Sequence, residues 1–221
     1  MQIFLQHKAI LLPLCKSLLN IVSLQEANKQ PVIVKYIMKH SVIFSIILFI
    51  IYSHSVIAGD SLTIIDKRVN FGYAVSQNRK VDAVIVHSTF NNSGGNFYDI
   101  DLVLKQFSLY KVSAHYVIGR DGIVYRVVDE QNVSYHAGKS KLPDGRTDVN
   151  SCSIGIEIMT SYKESPTEKQ ITALIALIKD IKKRHTINYV LRHSDIAPVR
   201  KTDPWNMDWK LFQQQLVDSA K

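Results

Sequence analysis

The segment VDAVIVHST, residues 81–89, constrains the fold more than any other stretch of the chain. Between Ala83 and Val86 it is apolar on both alternating faces, so a strand formed here has no face to expose to water. Such a strand belongs inside a sheet rather than at its edge. The pattern therefore predicts an α/β fold in which the sheet is covered by helices on each side.

Further helical and strand patterns follow this segment. A helix is predicted where Thr167 and Gln170 have the spacing of a capping box, and Asn206 is predicted to cap the last helix. Asp121-Gly122 separates two β-rich runs and predicts a hairpin with a type I′ turn, which needs positive φ at both positions. The predicted helices are residues 98–110, 167–185 and 207–218, and the further predicted strands are residues 115–120, 123–129, 153–159 and 189–192.

The predicted strand 153–159 separates apolar and polar residues between its two faces. Ile154, Ile156 and Ile158 share one face, while Gly155 and Glu157 share the other. A carboxylate is thereby held on a rigid element, next to a residue that has no side chain. Glu157 is for this reason a candidate functional residue, although a solvated glutamate on an exposed strand face would show the same pattern.

Residues 1–58 have the features of an N-terminal leader. Lys39 precedes an uncharged, mostly apolar stretch over residues 41–59, and Val56 and Ala58 stand where a signal peptidase recognises positions minus three and minus one. We expect a secretory signal peptide cleaved after Ala58, with Met38 as the true start, and a periplasmic or secreted domain over residues 59–221. An uncleaved anchor is the alternative, since this stretch has about the minimum length that spans a bilayer; the membrane would then be contacted only through the leader.

Charge and cysteine content narrow the functional classes. The formal net charge is +8, and the leader's five Lys and one Glu account for 5 − 1 = +4 of it. The remaining excess is modest and no basic patch is interleaved with aromatic residues, so we expect no nucleic-acid partner. Cys15 lies in the leader without a lipobox, and Cys152 alone follows it. No intramolecular disulfide is possible in the domain, and Cys152 is expected to be a small buried hydrophobe rather than a catalytic thiol.

Three potential metal ligands follow predicted strands. His87 ends the first strand, His193 follows the strand at 189–192, and Asp203 comes ten residues later. Two imidazoles and a carboxylate leave a fourth position on Zn²⁺ open to water, as catalytic zinc sites do. Spacing alone leaves the alternative open that each histidine is a structural residue with satisfied hydrogen bonds.

Five short segments occur in the order in which the type 2 N-acetylmuramoyl-L-alanine amidases carry similar segments, and the chain resembles that family over residues 81–212. The family includes peptidoglycan recognition proteins and some phage endolysins. The last segment is the most specific of the five. The segments are VHST at 86–89, SAHY at 113–116, YHAG at 135–138, SIGIE at 153–157 and RHSDIAPVRKTDP at 192–204.

The resemblance implies a single domain with a central mixed β-sheet that is flanked by helices on both faces. It also implies that His87, His193 and Asp203 bind Zn²⁺, that Glu157 is the acid/base group and that Lys201 assists at the reacting carbonyl. These roles suit the residues, because a carboxylate can carry a proton from water to a leaving amine. A cation can likewise stabilise a developing oxyanion.

Three further residues are substrate-binding candidates. His115 and His136 match family positions that line the cleft, although either histidine could instead orient its neighbours by hydrogen bonds. Trp205 departs from the family pattern, since relatives usually have Gly after the Asp-Pro pair. Its indole could narrow the cleft or offer a stacking surface for a sugar.

The resemblance implies hydrolysis of the amide bond between N-acetylmuramic acid and L-alanine, with peptidoglycan or muropeptides as the substrate. We expect a monomer. The alternative is a recognition protein that binds muropeptide without hydrolysing it. That alternative is disfavoured because every expected ligand and both assisting residues are present.

Overall fold

A computed structural model describes residues 62–219 of the chain. The leader, with Met38 and the expected cleavage site after Ala58, lies outside the described residues. No helix within 62–219 combines the length and apolar character needed to cross a membrane.

Eight strands and five helices make up the described part of the chain. The strands are β1 (Ile64–Asp66), β2 (Tyr73–Ala74), β3 (Ala83–Thr89), β4 (Tyr116–Ile118), β5 (Val124–Arg126), β6 (Val133–Ser134), β7 (Ser153–Met159) and β8 (Tyr189–Arg192). The helices are α1 (Ile100–Tyr110), α2 (Val149–Cys152), α3 (Glu168–Arg184), α4 (His193–Ile196) and α5 (Trp209–Asp218).

Six of these strands form one mixed sheet in the order β1-β5-β4-β7-β3-β8, and β2 pairs with β6 in a separate two-stranded sheet. In the large sheet only β4 and β5 run antiparallel to each other. The strand predicted from residues 81–89 is β3, which lies between β7 and β8 and is buried along its whole length. The predicted covered interior strand is therefore confirmed.

Helices cover both faces of the large sheet, as predicted. On one face, Val84 and Val86 of β3 pack with Ile156 of β7 against buried side chains of α3 and α5. On the other face, α1 packs over β4, and Ile85 of β3 packs with Ile196 of α4. Cys152 also lies in this second layer as a free, buried thiol.

The capping box at the start of α3 is confirmed. Thr167 Oγ1 accepts a hydrogen bond from the Gln170 N–H at 3.1 Å, and Gln170 Oε1 accepts one from the Thr167 N–H at 3.0 Å. The buried Gln170 amide also donates to the carbonyls of Ile118 and Met159. One side chain thus starts the helix and fixes it to two neighbouring strands.

The turn between β4 and β5 differs from the predicted type I′ turn. Gly122 has a positive φ of 86°, but Asp121 does not, and the Gly122 N–H donates to the Gly119 carbonyl at 2.9 Å. Helix α3 approaches this turn so closely that a Cβ at Gly122 would lie 2.9 Å from the Lys169 carbonyl oxygen. Glycine is needed here by tertiary packing as well as by φ, which the dipeptide alone could not show.

The predicted cap of the last helix was also wrong. Helix α5 begins after Asp208, whose carboxylate accepts from the Leu211 N–H at 3.0 Å. Asn206 instead has a positive φ of 52°, and its amide donates to the carbonyls of Ser161 and Glu164. Asn206 therefore joins two loops rather than starting the helix.

Candidate metal site

The candidate site lies at one edge of the large sheet. Strands β3, β7 and β8 are parallel, so their carboxyl ends meet at the same edge. His87 stands near the end of β3 in register with Glu157 of β7, and residues in register on neighbouring strands point to the same face. His193 begins α4 directly after β8. The topology thus brings together three functional candidates that are distant in sequence.

The three predicted metal ligands converge in a buried cluster. Their exposed fractions are 1% for His87, 3% for His193 and 5% for Asp203. His87 Nδ1 lies 2.9 Å from His193 Nδ1, His193 Nδ1 lies 3.1 Å from Asp203 Oδ2, and His87 Nδ1 lies 3.6 Å from Asp203 Oδ2. A tetrahedral zinc ion with ligands at about 2.0–2.1 Å needs ligand atoms about 3.3 Å apart. The triangle has the size that such an ion requires.

A chain of hydrogen bonds fixes the protons on His87. The Ser153 hydroxyl lies 2.6 Å from the Val149 carbonyl, which can only accept, so the hydroxyl donates to it. Ser153 Oγ then accepts from His136 Nε2, 3.2 Å away, and His136 Nδ1 accepts from His87 Nε2 at 3.0 Å. His87 therefore carries its proton on Nε2 and directs the lone pair of Nδ1 toward the cluster.

His193 is oriented in the same way by a single carbonyl. Its Nε2 lies 3.2 Å from the Ala137 carbonyl oxygen, so this nitrogen holds the proton and Nδ1 is left as an acceptor. Two imidazole lone pairs and the carboxylate of Asp203 then face one another. Three acceptor atoms at these distances need a cation between them, either a proton or a metal ion, and the donor set fits Zn²⁺.

Burial and neighbouring charges keep the candidate ligands in the protonation states that metal binding requires. Burial lowers the pKa of His87 to about 4, so its imidazole is neutral at pH 7. Burial alone would raise the pKa of Asp203, but the adjoining His193 and His87 side chains outweigh burial and hold that pKa well below its usual range. A neutral imidazole and an ionised carboxylate are the ligand forms.

Glu157 faces this cluster with an unused oxygen. Its Oε2 atom is buried and has no hydrogen-bond partner among the residues that the structure describes. Burial, together with the negative charge of Asp203, raises the pKa of Glu157 to about 8. A buried carboxyl oxygen without a partner is costly in an ordinary fold, so this group is placed for chemistry rather than for stability.

Lys201 lies at the same edge of the site. Lys201 comes two residues before Asp203, and its positive charge lowers the pKa of both His87 and Glu157. The Lys201 backbone N–H donates to the Ala197 carbonyl at 2.9 Å, so the turn after α4 determines where the side chain starts. The structure therefore brings Lys201, as predicted, to the edge of the candidate metal site.

Gly155 makes room for the His136 ring. A Cβ at Gly155 would lie 2.3 Å from Cγ of His136, so any side chain at this position would displace the imidazole. His136 is 8% exposed, and its ring nitrogens contact His87 and Ser153. This geometry favours the alternative in which His136 orients a neighbour rather than contacts substrate.

His115 lies still deeper and is not exposed at all. The Gly155 N–H donates to its Nδ1 at 3.0 Å, and its Nε2 lies 3.1 Å from the Asn132 carbonyl. The Arg79 guanidinium packs beside the ring and donates to the carbonyls of Asn132 and Ser153. Burial, followed by the charge of Arg79, lowers the pKa of His115 to about 3. His115 thus stabilises β7 through its hydrogen bond with Gly155, and the structure does not place it in an open cleft.

Trp205 lies on the outer side of the site. It is two residues beyond Asp203, and its backbone N–H donates to Ser88 Oγ at 3.1 Å, while Ser88 is the neighbour of His87. The indole is half-buried and packs edge-to-face against Tyr162, with ring centroids 5.1 Å apart. The structure therefore leaves Trp205 available at the rim, next to the candidate ligands.

Several residues of this site escaped prediction from the sequence. Arg79 resembles any surface arginine in a polar loop, and Ser153 resembles any residue at the start of a strand. Phe90 and Tyr162 follow the strands that carry His87 and Glu157, which was the one available hint that they would lie nearby. No local pattern could have shown that their rings meet Trp205.

The structure combines a mixed β-sheet, covered by helices, with a buried cluster of two histidines and an aspartate at the carboxyl ends of its strands. A glutamate faces this cluster. These features define an α/β protein with a candidate metal centre. The chain belongs to the Amidase_2 family, described as N-acetylmuramoyl-L-alanine amidase, whose family model matches residues 77–206. The predicted family is thereby confirmed.

Individual relatives agree with this assignment. The chain is 37% identical over 112 residues to the 1,6-anhydro-N-acetylmuramyl-L-alanine amidase AmpD of Enterobacter cloacae, covering 49% of this chain and 59% of that relative. The chain thus spans less than two thirds of this curated relative.

Two solved structures have the same fold. A crystal structure of AmpD has a TM-score of 0.56 at 27% identity, covering 70% of this chain and 94% of that one. The second structure is the Escherichia coli N-acetylmuramyl-L-alanine amidase AmiD in complex with the substrate anhydro-N-acetylmuramic acid-L-Ala-D-γ-Glu-L-Lys. It has a TM-score of 0.52 at 29% identity and covers 65% of each chain.

Proposed function

We propose that the chain is a zinc-dependent N-acetylmuramoyl-L-alanine amidase that hydrolyses the amide bond between N-acetylmuramic acid and L-alanine in peptidoglycan or muropeptides. One observation carries the proposal. His87 Nδ1, His193 Nδ1 and Asp203 Oδ2 form a triangle with edges of 2.9, 3.1 and 3.6 Å. Glu157 is in register with His87, and its Oε2 has no hydrogen-bond partner within residues 62–219.

Zinc is the metal that this donor set suits best, since two imidazoles and one carboxylate form an open catalytic site. Held by His87, His193 and Asp203, Zn²⁺ would polarise the amide carbonyl and lower the pKa of a water molecule. The hydrogen bonds from Ser153 through His136 keep the His87 ring in the ligating orientation before any metal arrives.

Glu157 is the acid/base group in this proposal. Its free Oε2 accepts the proton of the attacking water and returns it to the nitrogen of the leaving L-alanine amine. Glu157 must be ionised to accept that proton, and the positive charge of Lys201, which lowers the pKa of Glu157, favours the carboxylate form. Lys201 supplies a positive charge where the oxyanion develops.

The substrate class is supported by the relatives, whose names specify N-acetylmuramyl-L-alanine amidases, and by the ligand of the AmiD complex. That ligand joins a sugar to a peptide through the amide that the enzyme cleaves. A site for it must accept a sugar on one side of the metal and a peptide on the other.

Mass spectrometry of the products tests the proposal. The zinc-loaded chain is incubated with purified peptidoglycan, with zinc removed by a chelator, and with zinc restored. We expect free stem peptides that begin with L-alanine, released only when zinc is present. If the protein with zinc in its site bound peptidoglycan and released no peptide, the amidase proposal would fail in favour of a recognition protein.

We further propose that the protein acts in the periplasm or outside the cell after cleavage behind Ala58, and that it is a monomer. The basic and apolar order of the leader and the small residues Val56 and Ala58 support export. Cell fractionation with N-terminal sequencing should find a chain that begins at Gly59 outside the cytoplasm. Recovery of an intact leader in the membrane fraction would instead establish an anchored protein.

A further inference from the structure

Four aromatic side chains meet at the outer side of the candidate metal site, and we call Phe90, Phe97, Tyr162 and Trp205 the aromatic rim. Phe90 is the centre of the group, with its ring centroid 6.0 Å from Phe97, 5.2 Å from Tyr162 and 6.0 Å from Trp205. All four contacts within the rim are edge-to-face. Such packing leaves ring faces uncovered, and the exposed fractions are 53% for Phe97 and 63% for Tyr162.

The sheet topology places the aromatic rim beside the metal ligands. Phe90 directly follows β3, three residues after His87, and Tyr162 follows β7, five residues after Glu157. At about 3.3 Å per residue in a strand, Phe90 lies about 10 Å beyond His87. Trp205 follows Asp203 by two residues. The segments that follow His87, Glu157 and Asp203 thus each contribute one ring.

The rim is held rigid by hydrogen bonds that do not involve its ring faces. The Trp205 backbone N–H donates to Ser88 Oγ, and the indole Nε1–H donates to Thr202 Oγ1 at 3.1 Å. The Asn206 amide donates to the Ser161 carbonyl and so ties the Trp205 loop to the Tyr162 loop. A rigid, partly exposed aromatic surface loses little conformational entropy when it binds a ligand.

We propose that the aromatic rim binds the sugar rings of a peptidoglycan glycan strand, so that the strand lies across Trp205 and Tyr162 while the amide reaches the metal site. The proposal rests on the proposed function, because the bond to be cleaved is attached to a sugar. The apolar face of a pyranose ring packs on an aromatic ring, and the rim offers such ring faces next to the candidate metal site.

A second copy of the chain fits this surface less well than a glycan does. A fully buried aromatic side chain covers about 150–250 Å², and a stable protein interface needs about 800 Å² from each partner. Phe90 and Trp205 are already half-buried, and the exposed fractions of Phe97 and Tyr162 are only 53% and 63%. The rim therefore has the area of a ligand site rather than that of a dimer interface.

The two tryptophans of the chain permit a direct binding test. In Trp209→Phe, Trp205 becomes the sole tryptophan, so tryptophan emission under selective excitation reports on the rim alone. The full chain carrying this change is titrated with the β-1,4-linked tetrasaccharide of N-acetylglucosamine. This probe carries no stem peptide, so it lacks the amide bond that the proposed enzyme cleaves. We expect a saturable change in Trp205 emission.

Matched tyrosine variants show whether the rim is responsible. Tyr162 and Tyr110 are both 63% exposed, but Tyr110 ends α1 and is not part of the rim. In the Trp209→Phe background, Tyr162→Ser should weaken tetrasaccharide binding by about three- to tenfold, the loss expected for one aromatic contact. Tyr110→Ser should bind as the parent does.

Three results would overturn the proposal: no saturable emission change up to millimolar tetrasaccharide, equal weakening by both tyrosine variants, or self-association that Trp205→Ala abolishes. If Trp209→Phe fails to fold, calorimetric titration of the unmodified chain and the two tyrosine variants makes the same comparison. The binding test needs no turnover, so it separates the two proposals. Tetrasaccharide binding without stem-peptide release would contradict the amidase proposal and support the proposal that the rim binds sugar. Stem-peptide release without tetrasaccharide binding would support the amidase proposal and contradict the proposal for the rim.

Discussion

On its inner side, the candidate metal site is bounded by buried polar groups with fixed hydrogen-bond directions, whereas its outer side is bounded by half-exposed aromatic rings. The inner side consists of His136, Ser153 and Gly155 around the His87 ring. The outer side is the aromatic rim, whose Trp205 backbone N–H donates to Ser88 Oγ, next to His87. We propose that the two sides have separable tasks, so that the inner side orients the metal ligands and the outer side holds the sugar.

Removing the proposed acid/base group, Glu157, should have the largest effect. Glu157→Gln keeps the shape of the side chain but cannot accept the proton of water, so we expect the hydrolysis rate to fall by about 10²–10⁴-fold. Zinc content should stay unchanged, because Glu157 is not a ligand in the proposed site. Muropeptide turnover and elemental analysis of the same sample check both points, and a variant with a normal rate would remove Glu157 from the mechanism.

The inner side should control metal affinity. His136→Leu deletes the acceptor of the His87 Nε2–H, and loss of a group that orients a metal ligand typically weakens metal binding by about 10–100-fold. His136→Asn places an oxygen near the former Nδ1 and should restore much of the affinity. Competition for zinc with a chelator of known affinity measures this, and His185→Asn, which changes a histidine paired with Glu130, is the control.

Equal zinc affinities in His136→Leu and the unmodified chain would contradict the proposal that the inner side controls metal affinity.

A side chain at Gly155 should weaken zinc binding by displacing the same His136 ring. In Gly155→Ala the new methyl group would lie 2.3 Å from Cγ of His136, so the ring must move. Overpacking of this kind costs about 1–3 kcal/mol of unfolding free energy, and zinc affinity should fall with it. Gly94→Ala is the control, since its Cβ meets no atom within 4 Å and adds only backbone strain at a φ of 94°.

Urea unfolding and zinc competition on both glycine variants would show this, and a Gly155→Ala chain with unaltered zinc affinity would contradict the assigned orientation of His87.

The outer side should give the smallest effect, and on a different parameter. Trp205→Ala keeps the backbone N–H that donates to Ser88 Oγ but removes the indole, so KM for glycan-bearing substrate should rise by about three- to tenfold with kcat unchanged. Steady-state kinetics separate the two constants, with Tyr110→Ser as the matched exposed aromatic. A fall in kcat with normal KM would show that the rim acts on the metal site rather than on the sugar.

The inner and outer sides also differ in how far the sequence predicted them. Strand β3 was predictable because its residues are apolar on both faces, and α3 because Thr167 and Gln170 form a local capping box. His87, His193 and Asp203 were found through family motifs, which carry the outcome of long-range folding in short segments. The parallel order of β3, β7 and β8 then explains why these motifs meet.

What the sequence did not predict depends on contacts between distant segments. The orientation of His87 runs through His136 and Ser153 to a backbone carbonyl, and no local pattern encodes such a chain. The turn at Asp121-Gly122 and the role of Asn206 were set by the helix and loop that pack against them. In each case tertiary contacts outweighed a local preference.

The most direct test of the metal centre measures zinc content and muropeptide hydrolysis in the same samples of the unmodified chain, His87→Ala and His185→Ala. The structure predicts about one zinc ion per chain in the unmodified protein and in His185→Ala, both active, and neither zinc nor turnover in His87→Ala. A His87→Ala chain that retained its zinc and released stem peptides at the normal rate would contradict the metal centre assigned to His87, His193 and Asp203.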